Sequence, residues 1–442
     1  MAPQPPPAPG PREQRLAAYL QGLAQAAGHR DRHQPLTSYC LGLLLPGERK
    51  SVEPMAARLD PDNVQRAHQS LHHVVAVAPW SDQLLLQAVR QYVLPQITGR
   101  HPLSAWVVDD TGFPKKGKHS VGVARQYCGQ IGKQDNCQVA VSLSVSTDAA
   151  SLPIAYELYL PETWSEDPER RRKAGVPDEV VFRTKPLIAA EQIQRAVADG
   201  VPRAPVLADA AYGNDTKFRQ ALLDMGLEYL VGIQPTLSVW PPGQEPLPPK
   251  PRKATGRPPK LRQRAPHHQP VLAQDLAASP APTAWKSILW RNGTKKKLES
   301  RFAAVRVRPA NRDFERSEPL PEQWLLIEWP QTNGTNDEAH PTKYWLGNLA
   351  ADTSLATLVA TAKRRWIIER DYEELKQELG LGHYEGRGWR GYHHHATLCI
   401  AAYGFLIAER SRFSPSARAG QLQLALPEVP PDWKPRGAST TP

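Results

Sequence analysis

Lys363-Arg364-Arg365-Trp366-Ile367-Ile368-Glu369-Arg370-Asp371-Tyr372-Glu373-Glu374-Leu375-Lys376 sets one carboxylate between two cations: Glu369 follows Arg365 by four residues and precedes Lys376 by seven. Side chains at these offsets lie on one side of an α-helix, so the three are predicted to share a face. Working outward, two apolar runs of strand character end in acids upstream, Trp106-Val107-Val108-Asp109-Asp110 and Pro205-Val206-Leu207-Ala208-Asp209. Three acids on three separate elements, the last on a basic helix, suit a metal-bound phosphodiester. The acids would hold divalent cations and the bases would hold phosphate, which predicts nuclease or strand-transfer chemistry.

The chain has 442 residues, enough for two to four domains, and a formal charge of +11. That balance favours a polyanionic partner, most simply nucleic acid. The four cysteines, Cys40, Cys128, Cys137 and Cys399, form no C-x-x-C pair, which fits a reduced chain and excludes a disulfide scaffold or a zinc module. The Pro-rich start has no apolar core and is not expected to be a signal peptide. The longest apolar stretch, Ala396 to Ala408, is too short to span a bilayer and reads as a buried helix.

Six segments are expected. Residues 1–14 are Pro-rich and expected to be disordered. Residues 15–98 have helical periodicity and carry Arg49, Lys50, Arg58, Arg66, His68, His72 and His73, as a small DNA-binding bundle would. Residues 99–238 form the first part of a catalytic core. Within it, Trp106 to Asp110 is a short buried strand, and Val121 to Tyr127 and Gln138 to Ser146 alternate like half-buried strands. A helix over Lys185 to Val197 then leads into strand, helix and strand, which gives a mixed α/β sheet with helices on its faces. Residues 239–350 form a β-rich insertion with a basic Pro-rich linker, Pro241 to Pro270, whose composition predicts extended or disordered chain. Asn292-Gly293 is a hairpin-turn signal within it. Residues 351–412 return to helix, continuous from Leu355 to Leu379 with a C-cap at Gly380, and then from Ala396 to Arg410. Residues 413–442 read as a flexible tail.

Two-metal phosphoryl transfer needs clustered hard oxygen ligands around ions about 4 Å apart. Magnesium accepts a few carboxylates completed by water and substrate oxygens. Side chains alternate along a strand, so only one of Asp109 and Asp110 should face the metals. Asp209 falls at the carboxyl end of its strand, where open α/β sheets bind ligands. A lone strand-end Asp is more often a turn or cap residue; the three acids in this order argue otherwise.

These motifs together resemble the DDE transposases of bacterial insertion sequences, in the branch with a Tyr-(2)-Arg-(3)-Glu-(6)-Lys signature. Arg365, Glu369 and Lys376 match its last three members, and the Tyr position holds Ala362. Asp109-Asp110-Thr111 matches the first motif, Asp-x-Thr, through Asp109, with Asp110 left open, and Asp209-Ala210-Ala211-Tyr212-Gly213 resembles the second. The resemblance implies an RNase H-like mixed sheet with flanking helices, a β-rich insertion before the last catalytic helix and an N-terminal helical domain. It further implies Mg2+ (with Mn2+ able to substitute) held by Asp109, Asp209 and Glu369, and cleavage at terminal inverted repeats of double-stranded DNA. Transfer of the freed 3′-hydroxyl into target DNA, a homodimeric synaptic complex and a cytoplasmic, nucleoid-associated location complete the expectation. Arg365 and Lys376 would hold phosphates near the scissile bond. The competing readings are a non-catalytic DNA-binding descendant and a stand-alone nuclease.

Other basic groups are candidate DNA contacts. Lys115, Lys116, Lys118 and Arg125 follow the first acid and could grip a strand. Arg257, in Gly256-Arg257-Pro258, resembles an AT-hook core but fits a non-specific basic linker better. The run Trp389 to His395 reads as DNA contact or helix capping, because adjacent histidines diverge on a helix. Tyr212 and Trp366 read as core.

Overall fold

A computed structural model describes residues 10–251, 259–278, 284–292, 297–330 and 341–412. Helices α1 to α5 span Pro11–Ala26, His33–Leu44, Val52–Leu59, Val64–His72 and Asp82–Thr98. Strands β1 to β4 span Ala105–Pro114, Ala124–Cys128, Lys133–Ser146 and Ser151–Leu158. Helices α6 (Glu162–Ser165), α7 (Pro168–Ala174) and α8 (Lys185–Ala198) lead to β5 (Val206–Ala208), α9 (Ala210–Gly213), α10 (Thr216–Asp224) and β6 (Tyr229–Ile233). Then come β7 (Ser238–Trp240), β8 (Val271–Leu272), α11 (Ala273–Ala277), β9 (Lys286–Asn292), β10 (Lys297–Pro309), β11 (Gln323–Pro330) and β12 (Lys343–Gly347). Helices α12 (Leu355–Lys363), α13 (Ile367–Gln377) and α14 (Trp389–Arg412) close the described chain. None of the described helices is long and apolar enough to cross a membrane.

The chain divides into two compact units, and neither is contiguous. The first gathers residues 1–103, 110–184 and 368–442; the second gathers 104–109 and 185–367.

Helix α14 is the axis of the first unit. From Ala396 to Ala408 its sequence is apolar nearly all round, and a helix of that kind must be buried on every side. Gly391 through Glu409 are indeed buried. Close approach to α5 requires Gly404, where a Cβ would sit 3.0 Å from Val89 and 3.1 Å from Val93. Tyr19 on α1 donates its hydroxyl to the Ala401 carbonyl at 2.8 Å, and Arg15 Nε donates to fully buried Glu409 at 2.7 Å. The expected disorder over residues 1–14 is corrected in its described part, because α1 begins at Pro11, and proline at a first helical turn forfeits no hydrogen bond.

The histidine run is also corrected. The helix starts at Trp389, so His393, His394 and His395 lie inside it and are all buried. His393 Nε2 accepts from the Leu158 amide at 3.2 Å, while His395 donates to the Gly380 carbonyl at 2.9 Å and meets the Tyr39 hydroxyl at 2.9 Å. His394 stacks on Trp80 with ring centres 3.5 Å apart. Burial lowers His394 and His395 to about 4, so both are uncharged at neutral pH and are internal rather than presented at the surface. Lys50, read as a DNA contact, is buried as well. It donates to the Leu43 carbonyl at 2.9 Å and to the Leu45 carbonyl, closing the end of α2.

Strand β3 is not half-buried, as its alternation predicts, but buried at every residue from Cys137 to Ser146. Ser142 and Ser144 are the misleading positions: a serine hydroxyl is small enough to enter the interior, and Ser144 does so with its oxygen unpartnered among the described residues. Ser142 finds the Tyr372 hydroxyl of α13.

The second unit is built on a mixed sheet in the order β1-β5-β6-β12-β11-β10-β7-β8, with β9 also on β10. β1, β5 and β6 run parallel; β12 turns antiparallel on β6, with Tyr344 opposite Ile233. The strands expected as a separate β-rich insertion therefore continue the central sheet. One face carries a core of Ile233, Val239, Val307, Leu325, Ile327 and Leu346, covered by Ala273 and Ala277 of α11.

The Pro-rich segment 241–270 is ordered where it is described. It holds by polar anchors, because its composition supplies few apolar ones. Leu247 bridges Gln263, and Arg264 ion-pairs with Asp313 at 2.6 Å. Asp313 is buried and also accepts from the Trp240 indole at 2.8 Å. The Asn292-Gly293 turn lies partly outside the described residues, and Arg257 lies wholly outside them.

Candidate active site

In the second unit, Trp106, Val107 and Val108 are fully buried and bring β1 outward to a half-buried Asp109. Trp106 pairs with Val206, and Val107 with Leu207, in parallel register. The paired register ends at Val107 and Leu207; continued for two residues it would bring Asp109 level with Asp209. Asp109 lies inside β1, which runs on to Pro114 rather than ending at Asp110 as the sequence predicts, and Asp209 lies just past the carboxyl end of β5. Equivalent positions in parallel register face the same side of a sheet, which is the expectation for Asp109 and Asp209 if the register holds past β5. Asp110, the next residue, belongs to the first unit and is half-buried.

Asp209 also caps α9, its Oδ1 accepting from the Ala211 amide at 2.9 Å. Small residues allow this tight strand-to-helix turn. A Cβ at Gly213 would lie 1.9 Å from the Gly232 carbonyl oxygen, and one at Gly232 would lie 3.1 Å from the Ala210 nitrogen. The α9 backbone thus rests directly on β6. Buried Arg219 donates to the Gly213 carbonyl and closes the other end of α9.

The helix carrying Glu369 departs from the expectation of one unbroken element. Arg364–Trp366 is a 3-10 turn between α12 and α13, so Arg365 does not share a helix face with Glu369 and Lys376. The tighter turn follows from what its three side chains and that of the preceding Lys363 reach. Lys363 donates to Glu328 at 2.6 Å from among the rings of Trp290, Phe302 and Trp345. Arg364 donates to the Ser104 hydroxyl at 2.8 Å, and Arg365 Nη1 to Asp109 Oδ2 at 2.9 Å. The Arg291 guanidinium stacks over Trp366 at 3.8 Å, which leaves Trp366 half-buried rather than core. Buried Ala362, in the signature Tyr position, packs within α12.

Glu369 itself is exposed on the first turn of α13, in the first unit. The opposite face is fixed by apolar Ile368 and Leu375 and by polar contacts. Ser151 donates to Asp371 at 2.6 Å, Tyr403 donates to Asp371 at 2.8 Å, Tyr372 meets Ser142, and Arg410 donates to Glu374 at 2.5 Å. Asp371 was not singled out from the sequence, yet it falls on the buried stripe of Ile368, Tyr372 and Leu375 at helical spacing. Burial raises its carboxyl from 3.8 to about 6, against the two hydroxyl donors. Lys376 is half-buried, donating to the Gly112 carbonyl at 3.1 Å and to Gln130 at 3.3 Å, with its ammonium 4.9 Å from the Phe113 ring. Burial lowers its pKa. Gly380 has a φ of +69°, and the Leu381 amide returns to the Leu375 carbonyl at 2.8 Å, as expected for a glycine helix end.

Of the basic groups after β1, Lys116, Lys118 and Arg125 are exposed. Lys115 is not. It is half-buried, donates to the Tyr384 carbonyl at 3.2 Å, and has its pKa lowered first by burial and then by Arg49. Among the described residues, no group of three or more His, Cys, Asp or Glu is gathered closely enough to hold a metal ion.

Residues 20–297 match the family model described as DDE superfamily endonuclease, a span that contains Asp109, Asp110 and Asp209 and ends before Arg365, Glu369 and Lys376. The chain is also 33% identical over 195 residues to a protein of Microchaete diplosiphon described as a probable transposase for insertion sequence element IS701. That likeness covers 44% of this chain and 47% of the relative, so the chain spans about half the length of the curated relative it matches. With a mixed α/β sheet and a family match over most of its length, the chain belongs to the DDE superfamily endonucleases.

Proposed function

We propose that the protein is a DNA transposase that cleaves double-stranded DNA at terminal inverted repeats and joins the 3′-hydroxyl ends to a target. The observation that carries this reading is the parallel register of β1 and β5, which supports Asp109 and Asp209 as neighbours on one rim of the sheet. Asp109 is the preferred first acid because it accepts from Arg365, the arginine of the signature, at 2.9 Å. Glu369 would be the third, carried outward on a helix whose other face is anchored.

The donor set fits a divalent metal: carboxylate oxygens are hard ligands that magnesium or manganese accepts, and Asp209 keeps one oxygen beyond its cap. Asp109, Asp209 and Glu369 would hold the metal, which when bound lowers the pKa of an attacking hydroxyl and stabilises the leaving oxygen. The chain's own groups do the rest. Arg365 would hold a phosphate in a bidentate grip. Lys376 acts by tying α13 to the Gly112 carbonyl as well as by its charge. Exposed Lys116, Lys118 and Arg125 supply backbone attraction that is blind to sequence. A second copy of the chain would bring the two transposon ends together.

The test is cleavage of an end-containing duplex by purified protein with Mg2+ or Mn2+. Asp209→Asn and Glu369→Gln should each abolish cleavage. Full activity in both variants overturns the assignment of the acids. Cut DNA with no joined product marks a stand-alone nuclease, and sequence-specific binding without cleavage under any divalent metal marks a non-catalytic binding protein.

A further inference from the structure

We propose that Arg365 is a resident counter-cation for Asp109, which keeps the metal site closed in the free protein and opens it when a DNA phosphate draws the guanidinium away. The inference rests on the proposed function and deepens it. Arg365 Nη1 lies 2.9 Å from Asp109 Oδ2, with the two side chains 30% and 17% exposed, so the pair is partly withdrawn from water. The guanidinium is not there by chance of a loose chain. Its neighbours Lys363, Arg364 and Trp366 are each tied to a different element of the same unit, which fixes the backbone that presents it.

Three pieces of chemistry follow. A guanidinium keeps its charge at any ordinary pH, so deprotonation cannot release Asp109. A divalent cation at the same carboxylate would be repelled by the guanidinium, so metal and Arg365 compete for one acid. A phosphate oxygen pair matches the guanidinium fork as well as a carboxylate does, so the natural releaser of Arg365 is the DNA backbone. Arg365 therefore couples the two ligands: DNA binding frees Asp109 for metal, and by linkage metal tightens DNA binding by the same factor.

The experiment measures Mn2+ affinity by electron paramagnetic resonance on the full chain, with and without an end-containing duplex, for wild type, Arg365→Gln and Arg365→Lys. DNA should tighten Mn2+ binding to wild type on the order of tenfold, the usual size of coupling between two ligands. Without DNA, Arg365→Gln should bind Mn2+ tighter than wild type by a similar factor, with little further gain from DNA. Arg365→Lys keeps a cation and should stay near wild type, which separates lost charge from a loosened site. Wild-type Mn2+ affinity for DNA-free Arg365→Gln overturns the inference, and cleavage by the wild-type protein then leaves the proposed function standing. Wild-type protein that binds no Mn2+ even with DNA overturns both.

Discussion

Asp371→Asn should make the protein more stable at neutral pH and erase part of its acid response. The carboxyl is 2% exposed and accepts from Ser151 and Tyr403, but no cation bonds to it directly, and burial raises it from 3.8 to about 6. Between those values the folded protein holds a proton that the unfolded chain has released. Stability from this site is therefore whole below pH 3.8 and is lost as pH climbs through 6. The interval is roughly two pH units at about 1.4 kcal/mol each, so ionised Asp371 costs on the order of 3 kcal/mol at pH 7.5. An asparagine keeps an oxygen for the two hydroxyls and turns its amide toward Ser151, whose oxygen can accept. Urea unfolding followed by tryptophan fluorescence should show the variant more stable than wild type at pH 7.5, with the two curves converging near pH 4. Asp371→Ala, which strands both hydroxyls, should be destabilised at every pH. A constant offset between wild type and Asp371→Asn across this range, or a less stable variant at pH 7.5, refutes the reasoning.

Arg15→Leu leaves Glu409 fully buried with, among the described residues, Arg412 beside it at 3.3 Å, and should cost about 3–5 kcal/mol of stability, read by thermal and urea unfolding. Gly213→Ala drives a methyl to within 1.9 Å of the Gly232 carbonyl; lifting α9 off β6 should cost about 1–3 kcal/mol and displace Asp209, measured as lower solubility and lost cleavage. Replacing Lys116, Lys118 and Arg125 together by Gln should flatten the plot of log affinity against log salt by up to about 0.9 per lost phosphate contact. An unchanged slope would remove these exposed residues from the DNA interface.

Short apolar runs bounded by turns were the most legible part of the chain. The strand, helix and strand expected after Lys185 to Val197 are β5, α10 and β6, and β5 lies inside the run Pro205 to Asp209. The all-round apolar run from Ala396 declared a buried helix because few other structures can hide it. Polar residues used internally were read outward instead. His394, His395, Ser142 and Asp371 are satisfied by carbonyls and hydroxyls from other segments, which no local pattern reveals, and Lys50 by the carbonyls at the end of the preceding helix. The 3-10 turn at Arg364–Trp366 escaped for the same reason, since its cause is four long-range attachments rather than a weak helix former. At the candidate site, the strand-end position of Asp209 was legible from alternation and length, whereas the 2.9 Å pairing of Arg365 with Asp109 depends on tertiary placement.

The way α14 sits among the N-terminal helices restricts how such proteins can be recombined. Val89 and Val93 of α5 press on Gly404, and Arg15 of α1 neutralises Glu409, so the first hundred residues and the last described helix form a single hydrophobic interior. A chimera that borrows the leading helices from a relative would import half of an interior and abandon the other half. Grafting must exchange both termini together, or swap only the solvent-facing residues of α4 and leave the interior untouched.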